Sequence, residues 1–247
     1  MKKLGIILSL ALIYLSAQSQ PKAFYHFKFI ESNRDIVNNS LTNLISIDRV
    51  THDTVYAYAN AEEMRLFEKL GYKYTLLPQL SLSSKSIVMA TAVDQMVNWD
   101  KYPTYGVYRS MMKKFEQDFP ALCKLDSIGT TPNGHKIYVI KISNNVNIEE
   151  PEVEVFYTST MHGDETTGFI MMLRLIDYML ANYATDTRIA SMLDNMAIYI
   201  NPDANPDGTY MGGDNTLSGA IRYNSNYVDI NRNFPDPRLG FFTTTQA

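Results

Sequence analysis

Two short stretches of this chain carry side chains whose types and spacing suit metal and carboxylate chemistry. The first is Thr160-Met161-His162-Gly163-Asp164-Glu165-Thr166, which follows the apolar run Val153 to Ser159. His162 and Glu165 are three residues apart. At a strand-to-helix turn that spacing brings an imidazole nitrogen and a carboxylate onto one ion, and zinc takes N and O ligands at about 2.0–2.2 Å. Asp164 and Glu165 also suit a helix N-terminus, where acidic groups meet the positive end of the dipole, so the spacing alone leaves both readings open. The second stretch runs Gly219-Ala220-Ile221-Arg222-Tyr223-Asn224 and then Val228-Asp229-Ile230-Asn231-Arg232-Asn233-Phe234-Pro235-Asp236. Arg222 and Arg232 each offer a planar fork that grips a carboxylate through two hydrogen bonds. Taken alone, they read equally as surface arginines balancing Asp229 and Asp236.

The elements that must position these groups follow from periodicity and caps. Strands are expected at Val153 to Ser159, as a buried strand, and at Ala197 to Asn201. Long helical stretches follow at Thr166 to Tyr183 and Asp186 to Met196. Upstream, Thr104 caps a helix whose apolar face is Tyr108, Met111, Met112, Phe115 and Phe119, a spacing that marks core. Strands Lys124 to Ile128 and Lys136 to Ser143 flank a turn at Asn133-Gly134. Strands alternating with helices imply an α/β fold, a mostly parallel mixed sheet with helices on both faces. In such sheets sites form at the carboxyl ends of strands, where His162 and Glu165 fall.

The region before residue 80 reads differently. Phe24 to Ile30 is a strand, Asn33 to Leu44 a helix capped by Ser32, and Ile45 to Val50 and Asp53 to Ala59 are strands around Thr51-His52. Asn60 caps a helix from Ala61 to Leu70, ended by Gly71, and Tyr72 to Leu77 is a last strand. The order β-α-β-β-α-β predicts a small α+β ferredoxin-like domain over 20–80. The Ser-rich stretch 81–96 reads as a linker, and 97–247 as the main domain. Residues 1–19 have the form of an export signal: Lys2 and Lys3, an apolar run from Leu4 to Leu15 too short to span a bilayer, and small residues before Gln20. The mature protein is expected to be exported, to the periplasm or outside the cell, with no membrane span.

Composition excludes other classes. With 45% hydrophobic and 19% charged residues the chain is globular. A net charge of −4 and the lack of any Lys/Arg-rich run exclude nucleic-acid binding through basic patches. The single cysteine, Cys123, allows no internal disulfide and reads as a small buried hydrophobe behind Phe119 and Leu122.

Four blocks in order resemble the zinc carboxypeptidases, most of all the branch of carboxypeptidases N, E, D and M. They are Gly129-Thr130-Thr131-Pro132-Asn133-Gly134-His135-Lys136-Ile137, His162-Gly163-Asp164-Glu165, Asn205-Pro206-Asp207-Gly208, and Val228 to Asp236. The resemblance covers roughly Val97 to Ala247, the front part of that catalytic domain. It implies that His162 and Glu165 are two ligands of one zinc ion and that Asp229 receives the N–H of His162. It also implies that Arg222 polarises the scissile carbonyl, and that Asn231 and Arg232 hold the substrate's terminal carboxylate. The implied substrates are peptide or protein C-termini, cut by metal-activated water.

The chain departs from that pattern in what it lacks. The family's third ligand is a histidine downstream of the Asn-Arg block, but the four histidines are His26, His52, His135 and His162. The general-base glutamate is likewise expected beyond Ala247, and Thr244 to Ala247 resembles the start of a helix cut short. His135 is the one substitute ligand to consider, although it follows a hairpin turn. Two other functions share these residues: a peptidoglycan-peptide or acyl-amino-acid amidohydrolase on the same scaffold, and a non-catalytic peptide-binding module. The Asn231-Arg232 pair favours the exopeptidase. The position of the first domain, between export signal and catalytic region, is that of a pro-segment.

Overall fold

A computed structural model describes residues 24–78, 87–232 and 234. The export signal, the Ser-rich stretch from Ser81 to Ser86 and the segment from Thr244 to Ala247 lie outside the described residues.

The first sheet is built from β1 (Phe24–Ile30), β2 (Ser46–Thr51), β3 (Thr54–Asn60) and β4 (Tyr74–Leu76), in the order β2-β3-β1-β4 with every pairing antiparallel. With α1 (Arg34–Asn39) and α2 (Ala61–Glu68) this is the ferredoxin-like order. Alternation along β1 sends Phe27 and Phe29 into a core with Val55, Ala57, Met64 and Phe67. α1 is shorter than expected and is capped by Asn33 instead of Ser32, with a 3₁₀ turn following at Leu41–Asn43. α2 starts with a capping box: Asn60 accepts from Glu62 and Glu63, and Glu63 accepts from the Asn60 backbone, a device worth about 1 kcal/mol. β2 carries a bulge between Ile47 and Arg49, which leaves Asp48 without a cross-strand partner and re-aims it.

The second sheet has the order β7-β8-β10-β9, from β7 (Cys123–Thr130), β8 (Lys136–Ile142), β9 (Val153–Thr158) and β10 (Met196–Asn201). The β9–β10 pair is parallel and the other two pairs are antiparallel, so the mixed sheet has its parallel part at the β9 end. Tyr138, Ile140, Ile142, Ile198 and Ile200 share one core with α3 (Tyr105–Asp118), α4 (Thr167–Asn182) and α5 (Thr187–Leu193). The expected stripe from Tyr108 to Phe115 is buried there, as is Cys123, whose thiol burial pushes up to about 12. A short parallel pair, β5 (Met89–Ala90) with β6 (Tyr102–Pro103), leads into α3.

A second expectation fails. The strand beginning at Val153 is not buried: β9 is the outer strand of the described sheet, and Val153, Phe156 and Tyr157 are 63%, 54% and 47% exposed. An apolar run reports a need for burial, but not the neighbour that satisfies it.

Candidate active site

The parallel register sets Thr158 of β9 beside Asn201 of β10, so both strands end at the same level. The Thr158 hydroxyl donates to Asn201 Oδ1 at 2.8 Å, and the Ser159 amide donates to the Asn201 carbonyl at 3.0 Å. Two loops therefore leave the sheet side by side: residues 159–166, with His162 and Glu165, and residues 202–205, which lead into α6 (Pro206–Thr209).

Asn205 binds these loops to the arginine segment. Its amide nitrogen donates to the carbonyls of Met161 at 3.2 Å and Tyr223 at 3.1 Å, and its Oδ1 accepts from Gly208 at 3.0 Å. The backbones approach so closely that a Cβ on Gly163 would stand 2.3 Å from the Gly208 carbonyl carbon, and one on Gly208 would stand 2.4 Å from the Tyr223 oxygen. Glycine is required at both positions for that reason. Thr160 bends the first loop with φ of +56°. The Asn205-Pro206-Asp207-Gly208 block is thus a brace that sets where His162 and Arg222 stand.

The braced residues converge. His162 Nδ1 lies 3.1 Å from Glu165 Oε1, and His162 Nε2 donates to Asp229 Oδ1 at 3.0 Å. Arg222 Nε donates to Asp229 Oδ2 at 3.0 Å, and its Nη1 is 3.5 Å from Glu165 Oε1. His162, Arg222 and Asp229 are buried, whereas the Glu165 side chain is 63% exposed and opens to solvent. Asn231 and Arg232, both exposed, line the same cavity of about 500 Å³ as His162, Glu165 and Arg222.

The charges are mutually adjusted. Burial opposes ionisation of Asp229, but the His162 hydrogen bond, Arg222 and Ser46 outweigh it and hold the carboxyl below its usual range. Burial also opposes a charged His162, yet the hydrogen bonds to Asp229 and Glu165 raise its pKa. Glu165 is lowered by its hydrogen bond to His162, and Asp164 is raised by burial.

The donor pair suits zinc in part. Two ligands of one tetrahedral zinc at about 2.0–2.2 Å stand about 3.4 Å apart, close to the 3.1 Å between Nδ1 and Oε1. Among the described residues no group of three His, Cys, Asp or Glu is arranged to hold an ion. His135 is not brought to this place. Its Nδ1 is 2.6 Å from Asp207 Oδ1 and its Nε2 is 2.9 Å from Asp214 Oδ1, so both ring nitrogens are committed elsewhere.

Sequence reasoning missed the contribution of the first sheet. Arg222 Nε also donates to Ser46 Oγ at 3.0 Å, and its guanidinium lies 5.3 Å from the Tyr58 ring centroid. Arg232 Nη2 donates to the Ile47 carbonyl at 3.0 Å, and Ile47 and bulged Asp48 line the cavity. No local signal marks these residues, since they lie 176 and 185 positions from their partners.

Known proteins resemble this arrangement at two levels. Human carboxypeptidase D is 35% identical over 137 residues, which are 55% of this chain and 10% of that protein. The catalytic chain of human carboxypeptidase N is 36% identical over 129 residues, which are 50% of this chain and 28% of that protein. The chain therefore spans less than a third of the length of these relatives. The crystal structure of carboxypeptidase A from Helicoverpa armigera shares the fold, with a TM-score of 0.55 at 18% identity over 87% of this chain and 58% of that one. A likeness of that extent reaches past the second sheet into the first. Residues 108–243, more than half of the sequence and the part that holds all the converging site residues of the second sheet's loops, match the zinc carboxypeptidases, and the chain belongs to that family.

Proposed function

We propose that the protein is an exported zinc-dependent carboxypeptidase that removes C-terminal amino acids from peptides. The observation that carries this reading is the convergence of His162 Nδ1 and Glu165 Oε1, with Asp229 behind the ring and Arg222 beside it. His162 and Glu165 would hold the ion. Zinc bound there lowers the pKa of a water ligand and polarises the carbonyl under attack. Asp229 takes the Nε2–H of His162 from behind the ring, which leaves Nδ1 as the nitrogen that would meet a metal in place of a proton. Arg222, held through Nε by Asp229, keeps its Nη atoms for a developing oxyanion. Arg232 and Asn231, at the open side of the cavity, suit a terminal carboxylate.

His162 and Glu165 would supply two ligands, and a catalytic zinc needs a third protein ligand and a general base besides. Residues 20–247 alone are expected to bind zinc weakly and to release no amino acid. The first sheet fits a pro-segment: the Ile47 carbonyl occupies Arg232, which a substrate carboxylate would use, and Ser46 bonds Arg222 through Nε. Limited proteolysis that removes residues 20–80 from the full-length product should raise its activity, and unchanged activity refutes that role.

The main test is the full-length product on matched peptides with free and amidated C-termini. Only the free form should be cut. Arg232→Ala should raise KM sharply and erase the discrimination, while Arg222→Ala acts on kcat, because an oxyanion exists only in the transition state. Equal cleavage of both forms by the unaltered protein would favour an amidohydrolase acting on other amide bonds. The second reading is a non-catalytic peptide-binding module that uses Arg232 and Asn231 on a free carboxylate. Binding of free-ended peptides without turnover, zinc present, would support that second reading.

A further inference from the structure

Away from the candidate active site, a second cavity of about 550 Å³ opens between the segment that leads into β6, the C-terminal half of α3, and α4. Its volume falls within the about 300–1,000 Å³ of small-molecule sites. The walls are apolar and aromatic: Met96 and Trp99 on one side, Phe115 and Phe119 on the other. Val97, also in the wall, is 75% exposed. Trp99 stands at φ of +55°, a left-handed conformation that a bulky residue adopts only when its surroundings impose it. An isolated apolar wall would suit any hydrophobic occupant, but the charges here are one-sided. Asp94, Asp118 and Asp177 line the cavity against a single cation, Lys114, which is already paired with Asp118 at 2.7 Å. Among the described residues neither Asp94 nor Asp177 has an ion-pair partner. Burial raises the Asp177 carboxyl, the mark of a carboxylate partly stripped of water with no cation to offset it. Asp177 lies ten residues along α4 from its first turn, about 15 Å from the Glu165 end.

We propose that this cavity binds a small organic cation with an apolar body, its positive group among Asp177, Asp94 and Trp99 and its body against Phe115 and Phe119. The two carboxylates supply the missing charge complement, and the Trp99 face adds cation–π attraction. A neutral ligand of the same shape would instead bury those carboxylates further without compensation.

Trp99 is the sole tryptophan of the chain, so its emission reports this region directly. The probe is trimethyl(2-phenylethyl)ammonium, compared with its neutral carbon isostere 3,3-dimethylbutylbenzene, each titrated into the full chain. Saturable change with the cation is expected, about tenfold tighter than with the isostere. Asp177→Asn and Asp94→Asn should each weaken the cation about three- to tenfold and leave the isostere unchanged. Both variants lie on exposed positions, and circular dichroism checks that they fold. Equal affinity for cation and isostere, unaltered cation affinity in both variants, or no saturation at millimolar probe would overturn the proposal.

Discussion

His135 and His162 are both buried, and each lies between two carboxylates: Asp207 and Asp214 for the first, Glu165 and Asp229 for the second. What differs is the ring of neighbours beyond those pairs. Asp207 is saturated, accepting also from Thr131 Oγ1 at 2.6 Å, Ser225 Oγ at 2.7 Å and the Asn133 amide at 3.1 Å. The Tyr105 ring lies 4.3 Å from His135, centroid to centroid. His135 therefore closes a knot that ties the 131–135 turn to α6. His162 instead faces a cavity, and its partner Glu165 has a lone pair free toward solvent and an arginine beside it. A buried histidine with two acidic partners is thus a structural element in one place and, on the proposed reading, half of a metal site in the other. The open third direction makes the difference.

The comparison breaks most visibly on removal of the rings. In the full-length product His162→Ala should abolish stoichiometric zinc and turnover together while the protein stays folded. His135→Ala should keep both but lose about 3 kcal/mol of stability, because Asp207 is left charged and buried. Elemental analysis and urea denaturation separate the two, and retained zinc in His162→Ala would reverse the assignment. The acids give a smaller contrast. Asp229→Ala should cost about 10–100-fold in metal affinity or activity. Asp214→Ala, at a side chain 60% exposed, should cost under about 1 kcal/mol of stability and no activity. A normal rate and metal content in Asp229→Ala would remove it from the site.

A last contrast concerns an acid just before α6, four residues from Asp207, that has no histidine. Asp203 is fully buried, accepts at Oδ1 from Asn205 and Thr209, and has no partner at Oδ2 among the described residues. Burial pushes its carboxyl from the usual 3.8 up to about 7. Asp207 is held low instead, because the donors from Thr131, Ser225 and His135 outweigh its own burial. A raised carboxyl means that the folded state keeps a proton the unfolded chain releases. The stability from Asp203 is therefore full below about pH 3.8 and is lost as pH rises toward 7. Asp203→Asn, which keeps the Oδ1 acceptor, should flatten that part of the profile. Parallel pH–stability curves for the two proteins would show that Asp203 ionises normally.

Much of the fold was legible in local patterns. The alternation of Phe24 to Ile30, the Asn60 cap, the Thr104 cap and the hairpin at Asn133-Gly134 each became the element expected, because the deciding hydrogen bonds run over a few residues. The His162–Glu165 spacing and the second arginine stretch marked the site for a similar reason, since chemistry restricts which types stand there. Less legible were quantities that depend on partners. Ser32 and Asn33 are equally good caps by type, and only the path of β1 into α1 selected Asn33. The apolar content of β9 said nothing of its place at the sheet's outer edge.

The sequence by itself determined the family, the residue types of the candidate site and the order of the longer strands and helices, all of which rest on identity and short-range geometry, whereas the β5–β6 pair in the stretch read as a linker and its sequel was not foreseen. Only the tertiary structure decided that His135 belongs to a structural knot, that Asn205 braces three segments, and that Ser46, Ile47 and Tyr58 reach Arg222 and Arg232. Those contacts join residues up to 185 positions apart. They form because the first sheet and the arginine segment bury a shared patch of Tyr58, Ile221 and Tyr223, and apolar burial is non-directional until packing gives it a partner.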